Sequence, residues 1–172
     1  MLGVLVSRDL RWAKNTALIC QKARKKLWIL RRLISFHLDI HELFDVYTKE
    51  VRSLLELAVP VWHPGLTVKQ SRDIERIQKL AFKIILQNQY TNYPQACRLF
   101  YTETLESRRV KLCRRFAKRN LKSENPMFMK NSANVNTRQQ RNLVQEPRCN
   151  TSRYQKSSIP YLAKLLNSEL KK

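Results

Sequence analysis

Residues 51–86 read VRSLLELAVPVWHPGLTVKQSRDIERIQKLAFKIIL, and this stretch carries the clearest fold signal in the chain. Its first half is an apolar helical pattern that ends at Trp62-His63-Pro64-Gly65, because proline and glycine favour helix termination. A second helix opens at Thr67, where Gln70 three residues later completes a capping-box pattern. Apolar residues then recur at steps of three and four, as on one face of an α-helix. The stretch therefore predicts two helices joined by a short turn.

The second of these helices carries a row of cations on the side opposite its apolar face. The row consists of Arg72, Arg76, Lys79 and Lys83, which follow one another at steps of 4, 3 and 4 residues. No carboxylate lies on this line, so we expect no partner at i,i+4 to neutralise these cations. Such a row often serves only to solvate a helix, and contact with phosphate groups is the competing interpretation.

The upstream residues predict two helices, of which the first spans Trp12–Ile34. One of its faces is apolar, and the other carries cations and no acid. The cations that we take as candidate nucleic-acid ligands are Lys22, Arg24, Lys25, Arg31 and Arg32. Trp28 projects to about the middle of this basic face, where it either contacts a neighbouring domain or stacks on a nucleic-acid base.

The second upstream helix is predicted from about Ile40 to Trp62, and Asp39 is placed to cap its N-terminus. Its charged residues, including Arg52 and Glu56, are expected on the outside. Pro60 has no N–H donor and is therefore expected to kink the last turn.

Downstream of residue 86 we predict a short helix at Pro94–Phe100, with proline in its first turn, and a longer helix at Leu105–Lys122. The longer helix carries a second basic stripe, made of Arg108, Lys111, Arg115, Lys118 and Lys122. Residues 123–158 are polar and basic and predict an extended or disordered arm, which is a kind of segment that often lies along nucleic acid. A last amphipathic segment, Pro160–Leu170, is expected to dock against the body of the protein.

The charge of the whole chain is unusual. Its 172 residues include 34 Lys and Arg against 13 Asp and Glu, which gives a formal net charge of +21. This excess indicates a phosphate-bearing partner, with an anionic membrane surface as the weaker alternative. Because the chain has only two glycines, many tight β-turns are not expected, and helices are favoured.

These patterns predict an all-α fold, a small bundle of about five helices with an orphan N-terminal strand and a basic, largely irregular C-terminal arm. The predicted divisions are a strand and turn at residues 1–12, the helical bundle at 13–122, the arm at 123–158 and a short helix at 159–172. The orphan strand is Leu2–Val6. Because a lone strand is not stable by itself, we expect the chain to be truncated.

The spacing of the cysteines and the hydropathy of the chain indicate in which cellular compartment the protein is found. Cys20, Cys97, Cys113 and Cys149 lie far apart without a CxxC pair, which favours reduced and mostly buried thiols over disulfides or a zinc finger. No apolar run reaches the about 18 residues needed to span a membrane. A nuclear or cytoplasmic protein that is not secreted is therefore expected.

The sequence also lacks the patterns of catalytic sites. It has no clustered carboxylates for two metal ions, no P-loop and no nucleophile elbow, so no catalytic residue and no metal ligand is predicted. His37-Leu38-Asp39 with His63 matches the residue types of an iron triad. That triad normally needs β-strands, whereas these residues fall at helix ends, so turn and cap roles are the better interpretation.

Six segments, taken in order, resemble a known family. They are LGVLVSRDLRW (2–12), CQKARKKLWILRRL (20–33), YTKEVRSLLELAVPVWHPGLT (47–67), IERIQKLAFKIIL (74–86), TLESRRVKLCRRFAKRNL (104–121) and RCNTSRYQKSSIPYLAKLLN (148–167). Together they cover nearly the whole chain. The chain resembles the C-terminal, post-palm region of reverse transcriptases from non-LTR retrotransposons, the LINE elements of the jockey, CR1 or RTE kind.

This resemblance implies a thumb and connection, which are helices that grip the template–primer duplex beside the palm. The palm's metal-binding aspartates, with their Mg²⁺, would lie upstream of Met1, so the chain alone is not expected to be an enzyme or to hold a cofactor. The implied partners are an RNA, DNA or hybrid duplex and the missing palm. The first fifty or so residues also resemble a short domain attached to AlkB-type tRNA hydroxylases, which we attribute to the same transposon sequence and which implies no iron site.

Two classes of function remain open at this point. The favoured one is a non-catalytic nucleic-acid-binding fragment whose cations contact phosphates without reading sequence. The second is a helical interaction module that docks an acidic protein or an anionic membrane. A third possibility is an inert truncated fragment of a transposon, which has no selected function.

Overall fold

The computed structural model describes residues 3–9, 11–122 and 144–169 of the chain. Helices dominate the described residues and no strand occurs among them, which confirms the all-α fold class. The side chain of Lys122, residues 123–143 of the predicted arm, and Leu170 of the predicted last helix lie outside the described residues.

The helices follow one another in a simple order. α1 is Ala13–Ile34; α2 covers residues 40–56; α3 is Val59–Trp62, followed by a 3₁₀ turn at His63–Gly65; and α4 is Val68–Leu86, followed by a 3₁₀ turn at Gln87–Gln89. α5 is Tyr93–Leu99, α6 is Leu105–Lys122, α7 is Ser152–Gln155 and α8 is Ser158–Glu169. The bundle of about five helices and the separate C-terminal helix that were predicted are each exceeded by one among the described residues, since residues 40–62 form two helices and residues 152–169 form two.

Two compact units are formed by these helices. The first contains the described residues up to Ala58 together with Leu66–Arg108, and the second contains Val59–Gly65 and the described residues from Arg109 onward. α6 therefore begins in the first unit and continues in the second.

In the first unit, α1 packs mainly on α4, and α2 packs on both. The apolar face of α1 is buried at Ala23, Leu27 and Leu30, as predicted. α2 and α4 contribute aromatic rings to the same core. Phe44 stacks on Phe100 with ring centroids 4.4 Å apart, and Phe82 meets the ring of Tyr47 at 5.7 Å.

Local signals placed several helix ends correctly. Thr67 and Gln70 form the predicted capping box at the start of α4, and Asp39 caps α2 in the same way together with Glu42. The bounds of α1 and α6 agree with the prediction to within one residue. The predicted Pro94–Phe100 helix is α5, which has proline in its first turn.

The predicted second helix is wrong in its C-terminal part. The helix ends at Glu56, because Leu57 is extended with ψ 123° and Ala58 is left-handed with φ 51°. A continuous helix would bring the Pro60 ring against the carbonyl of Glu56 and would lack the N–H donor there. The break removes this conflict, and Pro60 lies in the short helix α3 instead of kinking a last turn.

α2 is not α-helical throughout. Ile40–Val46 is α-helical, Tyr47–Arg52 is π-helical, and Ser53–Glu56 is α-helical again. Tyr47 and Val51 of the π-helical segment are buried in the core. Arg52 and Glu56, which were expected on the outside, are half-buried.

The predicted strand at residues 2–6 is not seen. Its described residues are irregular, and the Leu5 N–H donates to Asn15 Oδ1 of α1 at 3.0 Å. A strand needs a partner strand for its backbone groups, and here a buried asparagine takes the role of acceptor.

α5 ends in a Schellman motif that contains no glycine. The Tyr101 N–H donates to the Arg98 carbonyl at 3.0 Å, and the Thr102 N–H donates to the Cys97 carbonyl at 2.9 Å. Tyr101 has φ 46°, a conformation that favours glycine, and its side chain is 96% exposed.

In the second unit, α3 and the 3₁₀ turn after it pack on α8. Trp62, Leu162 and Leu166 are buried, and the Ser158 hydroxyl donates to the Val61 carbonyl at 2.8 Å. The side chain of Asn167 on α8 pairs with the backbone of Val144, accepting at 3.1 Å and donating at 3.0 Å. α8 thereby docks as predicted, with its apolar residues inward.

Candidate nucleic-acid interface

The basic face of α1 is exposed in the structure. The candidate cations Lys22, Arg24, Lys25, Arg31 and Arg32 are all exposed. None of them has a carboxylate within ion-pair distance in the described part of the chain. Lys26, by contrast, pairs with Glu50 of α2 at 2.5 Å. Apart from Lys26, the cations of this face are therefore solvated and accessible to a ligand.

Trp28 lies within this exposed basic face. Its side chain is 61% exposed, whereas the other two tryptophans of the chain, Trp12 and Trp62, are 9% and 0% exposed. Arg24, Lys25, Arg31 and Arg32 stand three or four positions from Trp28 along the helix, so they are its neighbours on the helix surface. Five of the six candidate residues of α1 thus lie side by side on the helix surface, and Lys22 stands farther along the helix, six positions before Trp28.

The four stripe residues of α4 are exposed as well, but they differ in their surroundings. Arg76 pairs with Asp73 Oδ1 at 2.8 Å, an i,i+3 contact from an acid that lies beside the stripe. The expectation from the sequence concerned only partners at i,i+4 on the line of the stripe, and Asp73 lies off that line, three positions from Arg76.

Two lysines of the α4 stripe lie on tyrosine rings. Lys79 Nζ lies 5.0 Å from the ring centroid of Tyr93, and Lys83 Nζ lies 5.5 Å from that of Tyr90. Such cation–π contacts orient the ammonium groups and leave their charge in place. Arg72 has no ion pair and no aromatic partner among the described residues.

The first cation of the α6 stripe has a structural partner. Arg108 forms a two-pronged ion pair with Glu56 of α2, in which Nε donates to Oε1 and Nη2 donates to Oε2 at 3.0 Å. Both side chains are half-buried, and Arg52 lies 3.8 Å from the same carboxylate. Arg108 therefore attaches the start of α6 to α2 within the first unit.

The other described cations of α6 belong to the second unit. Lys111, Arg115 and Lys118 are exposed, and with Arg114 and Arg119 they line one open concavity along the helix. A common groove formed by the α4 and α6 stripes stays a prediction. Lys122 ends α6.

Sequence reasoning missed Arg109, which is fully buried in the second unit. Its Nε donates to His63 Nδ1 at 3.4 Å, and the Tyr161 hydroxyl lies 3.4 Å from His63 Nε2. Burial, and secondarily the Arg109 charge, lowers the pKa of His63 to about 4. His63 is therefore neutral at pH 7 and acts as a packing and hydrogen-bonding group.

A signal for Arg109 was present in the sequence. Leu105, Arg109, Cys113 and Ala117 follow one another at steps of four and are all buried. Burial also raises the pKa of the Cys113 thiol to about 12. Arg109 thus occupies a position in an otherwise apolar and buried line of α6.

Glu75 and Gln78 of α4 form a polar network that sequence reasoning also missed. The Glu75 carboxylate accepts from the Leu105 N–H at 3.0 Å and from the Glu106 N–H at 3.2 Å, and so caps the N-terminus of α6. It also accepts from the Tyr93 hydroxyl. Burial, and then Glu75 itself, raises the pKa of Tyr93.

Gln78 is fully buried at the centre of this network. Its Oε1 accepts from the Tyr47 hydroxyl at 2.8 Å, and its Nε2 donates to the Tyr93 hydroxyl at 2.9 Å and to the Glu103 carbonyl at 3.0 Å. The network joins α2, α5 and the start of α6 to α4.

Among the described residues, no cluster of three or more His, Cys, Asp or Glu side chains has the arrangement to hold a metal ion. The four cysteines are free thiols, and three of them are buried. No helix within the described ranges is long and apolar enough to cross a membrane.

No family model, curated protein or solved structure matches the chain.

Proposed function

We propose that this chain is a non-catalytic, helical nucleic-acid-binding module that contacts phosphate groups without reading base sequence. The observation that carries the proposal is the α1 face, where five exposed cations have no ion-pair partner among the described residues. Backbone phosphates are the ligand that such a face complements best, because neutralising them releases condensed counterions.

The charge of the whole chain supports the same partner. A formal net charge of +21 over 172 residues attracts polyanions at long range and raises their rate of encounter. The α4 stripe adds three cations that are not in ion pairs within the described residues, namely Arg72, Lys79 and Lys83.

The resemblance to the reverse-transcriptase thumb extends the proposal. Under it, the chain derives from a non-LTR retrotransposon and the bound nucleic acid is a template–primer duplex of RNA, DNA or both. The Mg²⁺ and the chemistry of polymerisation would belong to the palm, and the chain would contribute only contacts with the duplex.

The proposal is tested by the salt dependence of duplex binding. Labelled duplex RNA, duplex DNA and hybrid are titrated with the full chain at several salt concentrations, and fluorescence anisotropy gives the affinity. If about six phosphates are neutralised, the logarithm of the association constant falls with the logarithm of salt at a slope of about −5. A slope near zero for all three duplexes would overturn the proposal.

A pair of variants locates the binding face. Replacing Arg24 and Arg31 together by glutamine is expected to make the slope shallower by about two, because each phosphate contact contributes about one. Lys49→Gln is the matched control, since Lys49 is an exposed cation of α2 outside the proposed face. If Lys49→Gln makes the slope as much shallower, per charge removed, as the double variant does, the binding face lies elsewhere on the chain.

A further inference from the structure

We infer that Trp28 and the four cations around it form a stacking site for an unpaired nucleotide. The chain would then prefer nucleic acid with single-stranded bases over a blunt duplex. This inference rests on the proposed function and names the form of nucleic acid that the α1 face selects.

Trp28 differs from the other tryptophans of the chain in its exposure. Tryptophan is the largest apolar side chain, and the other two tryptophans of the chain are buried in cores. Trp28 instead stands 61% exposed on a helix whose opposite face supplies the core residues Ala23, Leu27 and Leu30. Its indole therefore offers an open ring face at a position where packing within the first unit does not require an aromatic residue.

The surrounding charge decides which kind of ligand fits that ring. Arg24, Lys25, Arg31 and Arg32 neighbour Trp28 on the helix surface, and no carboxylate pairs with them within the described residues. An apolar protein surface would have to strip water from these cations without replacing it, which is costly. A nucleotide supplies a π face for the indole and a phosphate for the cations at the same time.

One of the four cations has an additional contact. The Arg32 guanidinium carbon lies 5.6 Å from the ring centroid of Phe36, which is itself 61% exposed. This contact restrains the arginine and leaves its charge unneutralised. The basic and aromatic character of the face thus continues past the end of α1.

The geometry of nucleic acids selects the unpaired form. Inside a duplex both faces of each base are covered by neighbouring base pairs, whereas an unpaired base can place its face on an aromatic side chain. Stacking of one base on such a side chain contributes about 5- to 150-fold in affinity. The preference for single strands is expected to depend on the indole, and the salt dependence is expected to depend on the cations.

Two substitutions at the same exposed position separate stacking from apolar contact. Trp28→Leu keeps an apolar side chain without a ring, and Trp28→Phe keeps a ring. We expect Trp28→Leu to weaken binding of a short oligothymidylate by about 5- to 150-fold, and Trp28→Phe to retain most of the affinity. Binding of a blunt duplex of the same length should be unchanged in both variants, and far-UV circular dichroism verifies their helix content.

Tryptophan emission gives an independent readout. Because Trp28 is the exposed one of the three tryptophans, a stacked base should quench mainly its emission. The quenching should disappear in Trp28→Phe, although anisotropy of the labelled oligonucleotide still reports binding. Persistence of the quenching in this variant would overturn the inference.

The outcomes separate this inference from the proposed function. If duplex binding keeps its steep salt dependence while Trp28→Leu binds oligothymidylate as well as the wild type does, the stacking site is refuted and the proposed function stands. If no nucleic acid binds with a salt-dependent affinity, both fall. Co-sedimentation with phosphatidylserine vesicles that Trp28→Leu abolishes, without binding of the oligonucleotide, would overturn the inference in favour of a membrane surface.

Discussion

Replacing Gln78 by methionine tests whether the buried polar network holds the first unit together. Methionine is close to glutamine in length and volume, so the substitution removes the amide without leaving a large cavity. It deletes the three hydrogen bonds to the Tyr47 hydroxyl, the Tyr93 hydroxyl and the Glu103 carbonyl. The change in stability should therefore come mainly from the lost hydrogen bonds, and little of it from altered packing.

The size of the expected stability loss follows from what each of the three hydrogen-bond partners of Gln78 loses. Tyr47 is fully buried and loses the acceptor of its hydroxyl, which costs about 1–3 kcal/mol. The Glu103 carbonyl loses a donor for about 0.5–1.5 kcal/mol, and Tyr93 loses less because its hydroxyl still donates to Glu75. We expect Gln78→Met to lower the free energy of unfolding by about 3 kcal/mol.

Urea unfolding followed by far-UV circular dichroism measures this change, with an unchanged m-value as the sign of a pure stability effect. Gln21→Met is the matched control, because Gln21 is exposed on α1, and it should change stability by less than about 0.5 kcal/mol. Tyr47→Phe removes the donor instead, and in the double variant the two costs should fall short of additivity by about 1 kcal/mol. A cost of Gln78→Met no larger than that of the control, or strict additivity, would refute the reasoning.

Three further predictions concern single residues. Tyr101→Gly should raise the free energy of unfolding by about 1 kcal/mol, because glycine adopts the φ of 46° without strain; a lower melting temperature would contradict this. Thr67→Ala should cost about 1 kcal/mol in urea unfolding, since it removes the side-chain acceptor at the N-terminus of α4, whereas Thr67→Ser should cost little. The folded pKa of His63, about 4, lies below the ordinary value of 6.5, so the unfolded chain binds the proton first. Stability should therefore fall as pH decreases from about 6.5 towards 4, and a chain with His63→Gln should lose that part of the pH dependence.

The parts of the fold that could be predicted are those with local causes. The cap residues Asp39 and Thr67 act on backbone groups two or three positions away, so their signals are complete within a few letters of sequence. The apolar periodicity of α1 is equally local. The break after Glu56 was missed because Pro60 was given the wrong consequence, a kink in place of a termination upstream.

The parts that could not be predicted depend on partners distant in sequence. Glu75 caps a helix that begins 30 residues later, and Arg108 pairs with Glu56 across 52 residues. No short pattern encodes such pairs. The same limit applies to the candidate interface, where no short pattern shows that Glu50 of α2 pairs with Lys26 of α1.

The π-helical segment of α2 also explains how that helix keeps a straight seam against the core. Its buried residues Leu43, Tyr47, Val51 and Leu55 are spaced by four, and each step of four turns an ordinary α-helix about 40° past a full circle. Three such steps would carry Leu55 about 120° around the helix from Leu43. The wider π turn at Tyr47–Arg52 holds more residues per turn and cancels part of this drift. The π turn thus accommodates one residue more than an ordinary α-helix would need, because eleven residues of α-helix would already place Leu55 only about 20° from the line of Leu43. Deleting one exposed residue of the segment should therefore be tolerated by a return to α-helical geometry, whereas inserting another would turn Leu55 away from the core.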